Sequence, residues 1–210
     1  MKLDLPKTVI LANGQFPSHA VPLAALHGAA NIVCCDGAVE NLAGLGLEPD
    51  WIVGDMDSLS AADCVRYREK LVCVREQETN DLAKAFRFCL SKGWRELTII
   101  GATGLREDHT LGNISLLADF AEEASVLLLT DTGWFTPLTG AAQLPSCVGQ
   151  QVSIFSFDTG TVVSADGLRY PLNGLRLTRW WQAALNEACG AAFTLSFTGG
   201  PLLVYQTYSP

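Results

Sequence analysis

In extended backbone, residues two apart project to the same side, so Asp55 and Asp57 of the segment GDMDS can offer oxygen ligands to one cation. Oxygen-only donors suit Mg²⁺ or Mn²⁺ rather than zinc, and Mg²⁺ takes its other ligands from water and substrate phosphates. The same spacing also has a purely structural reading, in which Asp55 caps a turn and Asp57 N-caps a helix starting near Leu59. Asp36 and Asp81 strengthen the metal reading, because each follows an apolar run of its own, as GDMDS does. Asp81 alone would be unremarkable, since a carboxylate is favoured in the first turn of any helix. A second segment, GATGLRED, reads as a glycine-rich turn entering a helix. There Gly101 and Gly104 permit close backbone approach, the helix N-terminus suits an anion, and Arg106 can grip phosphate with two parallel hydrogen bonds. An ordinary strand–helix turn with a solvated Arg is the competing reading. No GxxxxGK[ST], GxGxxG or GxSxG occurs, and His19, His27 and His109 lack metal-ligand spacing.

These residues need a scaffold that brings them to one edge. Apolar runs at Thr8–Ala12, Asn31–Cys35, Trp51–Gly54, Leu71–Val74, Glu96–Gly101 and Ser125–Thr130 predict strands, with helical patterns between them. The clearest helix is 80–91, where Leu82, Ala85, Phe86, Cys89 and Leu90 recur at helical spacing. A second spans about 108–122, with Leu111, Ile114, Ala118 and Ala121 on one face. Alternation of this kind implies a buried parallel sheet, and ligands bind beyond the carboxyl ends of such strands. Five successive strand ends then deliver Asn13, Asp36, Asp55 with Asp57, Gln77 with Asp81, and Thr103 to Asp108. After about residue 131 short strands take over (151–157, 161–165, 192–197 and 202–207), separated by Asp-Gly, Asn-Gly and Gly-Gly turns. We expect an α/β parallel-sheet domain over 1–130 followed by a small all-β sandwich over 131–210. The stretch 177–188 fits either a helix or a strand with a loop, and Trp180 and Trp181 read as core or subunit-contact residues.

A chain of 210 residues with 49% hydrophobic and 17% charged residues can build such a core, and its net charge of −8 argues against a nucleic-acid partner. No apolar run reaches the roughly 20 residues needed to span a bilayer, and Met1–Asn13 shows no leader pattern. The seven cysteines are odd in number and without CxxC, which we read as small core residues in a reducing cytoplasm.

Taken together, CCDGAVENLAGLGLEPDWIVGDMDSLS, QETNDLAKAF and GATGLREDHTLGNISLL, in this order and at these separations, resemble thiamine pyrophosphokinase. The likeness runs from about Asn13 to Leu117 and continues more weakly through GLRYPL, Asn186-Glu187 and PLLVY. The resemblance implies an α/β domain and a β-sandwich. It also implies transfer of a diphosphate from ATP to the hydroxyethyl oxygen of thiamine, with Mg²⁺ as cofactor. On that basis Asp36, Asp55, Asp57 and Asp81 match the acidic cluster around the metal and triphosphate. Gln77 and Asp81 fall where thiamine is contacted, and Asp81 also orients or deprotonates its hydroxyl. Thr103, Gly104, Arg106 and Asp108 match the nucleotide segment, and Asn13 and Asn186 complete the binding set. A homodimer with shared sites is implied as well. The chain departs at Leu185, where the family usually has Ser before the Asn, and at Val204-Tyr205, where some members carry Trp after the Leu pair. Two other readings remain: a Mg²⁺-dependent phosphatase, whose nucleophilic Asp would follow the first strand, and a non-catalytic nucleotide- or thiamine-binding module.

Overall fold

Six apolar runs of the N-terminal half form parallel strands in the computed structural model, which describes residues 5–210. They are β1 (Thr8–Leu11), β2 (Asn31–Cys35), β3 (Trp51–Gly54), β4 (Leu71–Cys73), β5 (Glu96–Ile100) and β6 (Ser125–Leu129). Their order is β6-β5-β1-β2-β3-β4, in register through pairs such as Ile10↔Val33 and Ile10↔Ile99. Val9, Ile10, Leu11, Ile52, Leu97, Ile99 and Ile100 are fully enclosed, which explains why these strands read as continuous apolar runs rather than alternating ones. Thr98 is equally enclosed, and its hydroxyl is satisfied by donating to the Pro6 carbonyl at 3.1 Å.

Helices α1 (Ala20–His27), α2 (Ala61–Arg66), α3 (Asp81–Ser91) and α4 (Glu107–Phe120) follow strands β1, β3, β4 and β5. A 3₁₀ helix, Asp36–Leu45, follows β2. Helix α3 starts where the sequence predicts, with the Asn80 side chain capping it by accepting from the Ala83 N–H at 3.0 Å. It packs on β3, β2 and β1. Helix α2 starts at Ala61 rather than near Leu59, and its cap is Ser60, not Asp57. Burial along α4 begins only at Leu117, and Leu111 is exposed, because the first two turns carry polar residues that border a cavity. Residues Leu5–Leu116 and Glu123–Asp131 form one compact unit, and Leu117–Glu122 with Thr132–Pro210 form the other. The reading of the first 13 residues extends onto 1–4, which lie outside the described residues.

The C-terminal unit holds β7 (Gly133–Leu138), β8 (Ala142–Pro145), β9 (Gln151–Ser156), β10 (Val162–Asp166), β11 (Leu172–Arg176), β12 (Ala183–Glu187), β13 (Ala192–Thr198) and β14 (Leu202–Thr207). All pairings among them are antiparallel, in the orders β12-β9-β14-β7 and β11-β10-β13-β8. Ile154, Leu202 and Val204 from the first set and Val163, Phe193 and Leu195 from the second fill one shared core, as in a sandwich. The ambiguous stretch resolves into a 3₁₀ turn at Trp180–Gln182 followed by β12. Trp180 and Trp181 are 47% and 74% exposed and so do not belong to the core.

Candidate active site

The order of strands in the N-terminal unit reverses between β1 and β5, and a cavity of about 360 Å³ opens beyond their carboxyl ends. Its lining includes Asn13 and Gly14 after β1, Asp55 after β3, Gln77 and Asp81 around the start of α3, and Gly104 with Arg106 after β5. Lys84 and Asn113 also line it and were not singled out from the sequence.

Asp36, Asp55 and Asp57 come together on the acidic side, each offering an oxygen within 4.8 Å of the other two. They do so by a turn rather than by extended spacing. Strand β3 ends at Gly54, and Met56 takes a left-handed conformation (φ 71°) that folds the second aspartate back beside the first. Asp55 Oδ1 accepts from the Asp57 N–H at 3.3 Å, so the turn-capping role exists alongside the clustering. Asp36 is itself left-handed (φ 40°) and 1% exposed. Its Oδ2 accepts from the Ser58 N–H at 3.0 Å, while Oδ1 is buried without a hydrogen-bond partner. Burial pushes the Asp36 carboxyl above its ordinary value, the Ser58 N–H opposes that, and the charges of Asp81, Asp57 and Asp55 add to it. An orphaned buried oxygen in a crowded, oxygen-only set is a donor array that fits a hard divalent cation. Asp55 is held below the ordinary carboxylate value, chiefly by the Gln77 amide, which donates to Oδ2 at 2.8 Å.

Asp81 is not part of that triad. Its Oδ1 accepts from the Lys84 ammonium at 3.0 Å, and the same Nζ lies 3.9 Å from Asp55 Oδ2. Lys84 is 4% exposed. Burial, the largest influence, would lower its pKa, but Asp81, Asp55 and Glu76 together raise it above the ordinary lysine value. Gly54 makes the crowding possible: a Cβ there would fall 2.8 Å from the Asp36 Cβ and 3.3 Å from Asp81 Oδ1.

On the glycine side the loops after β1 and β5 are laced together. The Gly14 N–H donates to the Gly101 carbonyl at 2.7 Å and the Gln15 N–H to that of Thr103 at 2.9 Å. The close approach that Gly101 and Gly104 permit is therefore partly to the neighbouring loop. Cβ atoms on them would meet the Ala12 carbonyl at 2.7 Å and the Gln15 Cβ at 2.6 Å. The Asn113 amide donates to the Ala102 carbonyl at 2.8 Å and accepts from Asn80 at 2.9 Å, which joins this loop to the start of α3. Arg106 grips Asp108 with Nε at 3.1 Å and Nη2 at 2.5 Å, and both side chains are exposed. Asn186 lies in the C-terminal unit, buried, its amide committed to the Tyr170 backbone at 3.0 and 2.8 Å.

Neither Cys34 nor Cys35 is a ready nucleophile. Burial, followed by nearby negative charge, drives the Cys35 thiol upward, and Cys34 behaves alike. All seven cysteines are unpaired; Cys73 and Cys189 are exposed and so depart from the core role expected of them.

Family models for the thiamin pyrophosphokinase catalytic domain and substrate-binding domain match residues 24–129 and 133–205. The chain belongs to the thiamin pyrophosphokinase family. It is 25% identical over 160 residues to thiamin pyrophosphokinase 1 of Caenorhabditis elegans, a match covering 69% of this chain and 65% of that protein. With thiamine pyrophosphokinase of Bacillus subtilis the identity is 26% over 183 residues, covering 82% and 85%. The fold matches the crystal structure of a thiamin pyrophosphokinase family protein from Enterococcus faecalis with a TM-score of 0.81 at 22% identity, covering 98% of this chain and 100% of that one. Membership makes this chain an enzyme of the diphosphotransferase class. The end of β1 carries Asn13 rather than a carboxylate, which removes the nucleophile that a phosphatase reading needs there.

Proposed function

We propose that the enzyme transfers the diphosphate of ATP to the hydroxyethyl oxygen of thiamine, giving thiamine diphosphate and AMP. The observation that carries this reading is an oxygen-only triad with an orphaned oxygen, one member of which, Asp55, lines a cavity that the glycine-rich turn after β5 also lines. Asp36, Asp55 and Asp57 hold Mg²⁺, which supplies charge neutralisation for the triphosphate when bound. Thr103, Gly104 and Arg106 receive the nucleotide, and Asn13 borders it. Gln77 and Asp81 face thiamine, with Asp81 accepting the hydroxyl proton as oxygen attacks the β-phosphorus and the bond to the AMP oxygen breaks. Incubation with ATP, Mg²⁺ and thiamine should yield AMP and thiamine diphosphate in equal amounts. Free phosphate instead would indicate a phosphatase, and unchanged ATP a binding module.

We further propose a cytoplasmic homodimer whose thiamine sites are completed by the partner's sandwich. Support comes from Trp181 and Leu185, 74% and 76% exposed, and from Phe157 edge-on to Trp180 at 4.9 Å, all in the C-terminal unit. Leu202 and Leu203 are core residues and contribute nothing to such a wall. Buried Asn186 serves it by holding the backbone of Tyr170. Mixing Asp81→Ala subunits with Trp181→Ala subunits should restore activity, and full activity from a sedimentation-defined monomer would rule out sharing. Among the described residues, no helix is long and apolar enough to cross a membrane.

A further inference from the structure

Helix interiors disfavour asparagine, whose side chain competes for nearby backbone groups, yet α4 carries Asn113 about two turns from its start. Its amide is spent on other elements rather than on its own helix. Nδ2 donates to the Ala102 carbonyl at 2.8 Å, and Oδ1 accepts from Asn80 Nδ2 at 2.9 Å. Both orientations are forced: a carbonyl can only accept, and the Asn80 Oδ1 is already committed to the Ala83 N–H at 3.0 Å. Ala102 sits between Gly101 and Thr103, whose carbonyls accept from the Gly14 and Gln15 N–H groups, and it leads into Gly104 and Arg106. Asn80 caps α3 and directly precedes Asp81. Asn80, Ala102 and Asn113 line the same cavity, so one neutral side chain connects its two loops.

We infer that Asn113 is a positioning residue, a cross-tie that holds the start of α3, and with it Asp81, at a fixed offset from the nucleotide loop after β5. The inference rests on the reading of the cavity as the place where ATP and thiamine meet, and it deepens that reading. Transfer needs the acceptor oxygen and the β-phosphorus held near contact and in line, and an error of about 1 Å can cost about a hundredfold in rate. Gln77 and Asp81 come from one loop and Thr103 to Arg106 from another. Their spacing is set by the sheet and, at the cavity itself, by this tie. An amide makes the connection without placing a further charge beside the acidic triad.

Steady-state kinetics of the full-length enzyme with ATP, Mg²⁺ and thiamine, run beside thermal unfolding, tests the tie. Asn113→Ala removes both bonds. Asn80→Ser keeps an oxygen for the α3 cap and removes the amide that reaches Asn113. Each variant should lower kcat by about tenfold or more while both KM values stay within about threefold, because each half of the site keeps its own contacts. The double variant should be no slower than Asn113→Ala, because the two residues act through one connection. A kcat within about twofold of wild type in either single variant would overturn the inference, even if Tm fell, since Asn113 would then serve the fold alone. Losses that multiply in the double variant would overturn it too, as would a loss carried only by the KM for ATP; each would mean that an asparagine acts on substrate by itself. Should Asn113→Ala fail to fold, Asn80→Ser decides by the same kcat criterion. Wild-type enzyme that forms no AMP would refute the reading of the cavity and the inference with it, whereas active wild type with unaffected variants refutes the tie alone.

Discussion

On the acidic side of the cavity, Asp36 and Lys84 are buried, two residues adopt left-handed backbone, and Gly54 is pressed between Asp36 and Asp81. On the glycine side, the backbones of Gly14, Gln15, Gly101 and Thr103 are joined by short hydrogen bonds, but the charged side chains Arg106 and Asp108 lie exposed and paired with each other. The first side fixes charge in place at the expense of backbone strain and desolvation. The second fixes the backbone and leaves its charges paired in solvent. A metal needs ligands set to within tenths of an ångström, whereas a flexible triphosphate can be met by a preformed cradle and one adjustable guanidinium.

The largest losses should therefore come from the rigid side. Asp55→Asn or Asp57→Asn should lower turnover by about two orders of magnitude or more while leaving the far-ultraviolet circular dichroism unchanged, because a neutral amide is a weak Mg²⁺ ligand. Near-wild-type turnover in both variants would remove the metal site from this edge. Gly54→Ala comes next. Its Cβ would sit 2.8 Å from that of Asp36, so either the triad moves or β3 shifts. Overpacking of this kind costs roughly 1–3 kcal/mol, or about 2–4 °C of Tm per kcal/mol at this chain length. Thermal unfolding should report that loss together with a reduced turnover. A Tm and turnover both unchanged would show that the edge is softer than described.

The sequence made the rigid side legible in outline and the exposed side in position only. Apolar runs placed β2, β3 and β14 to the residue. The Asp55–Asp57 pair was found for a reason that is incomplete: extended spacing suggested it, while a left-handed Met56 achieves it. Nothing in the residue type of a methionine announces that conformation. Lys84 was passed over because a lysine on an amphipathic helix reads as solvated, and only the i, i+3 relation to Asp81 hinted at a partner. In the C-terminal unit β7, β8 and β11 were missed. β7 contains Pro137 and β11 contains Asn173-Gly174, residues that read as breaks and turns until neighbouring strands override them.

Arg106 tests the exposed side with a smaller expected effect. Arg106→Lys keeps the charge but loses the planar fork, so the KM for ATP should rise by about tenfold, near 1.4 kcal/mol, with little change in the KM for thiamine. Steady-state kinetics with each substrate varied in turn makes the separation. Equal changes in both Michaelis constants would place Arg106 outside the nucleotide's grip.

The smallest effect concerns Asp108. The Arg106 guanidinium and then the His109 N–H hold its carboxyl down to about 2, against an ordinary value of 3.8. A folded-state value depressed in this way contributes stability above the ordinary carboxylate range, and the contribution is lost as pH falls from 3.8 towards about 2. Because the pair is exposed, water screens it, and Asp108→Asn should leave Tm at neutral pH nearly unchanged. The informative readout is instead the carboxyl carbon resonance of Asp108. In the free enzyme it should remain that of an ionised carboxylate below pH 3.8. If Arg106 is an adjustable guanidinium that leaves Asp108 to meet triphosphate, saturation with a non-hydrolysable ATP analogue should move the midpoint back towards the ordinary value. An ordinary midpoint in the free enzyme would mean that the pair does not form. A depressed midpoint unmoved by the analogue would mean that Arg106 never lets go, and the glycine side would then be as fixed as the acidic one.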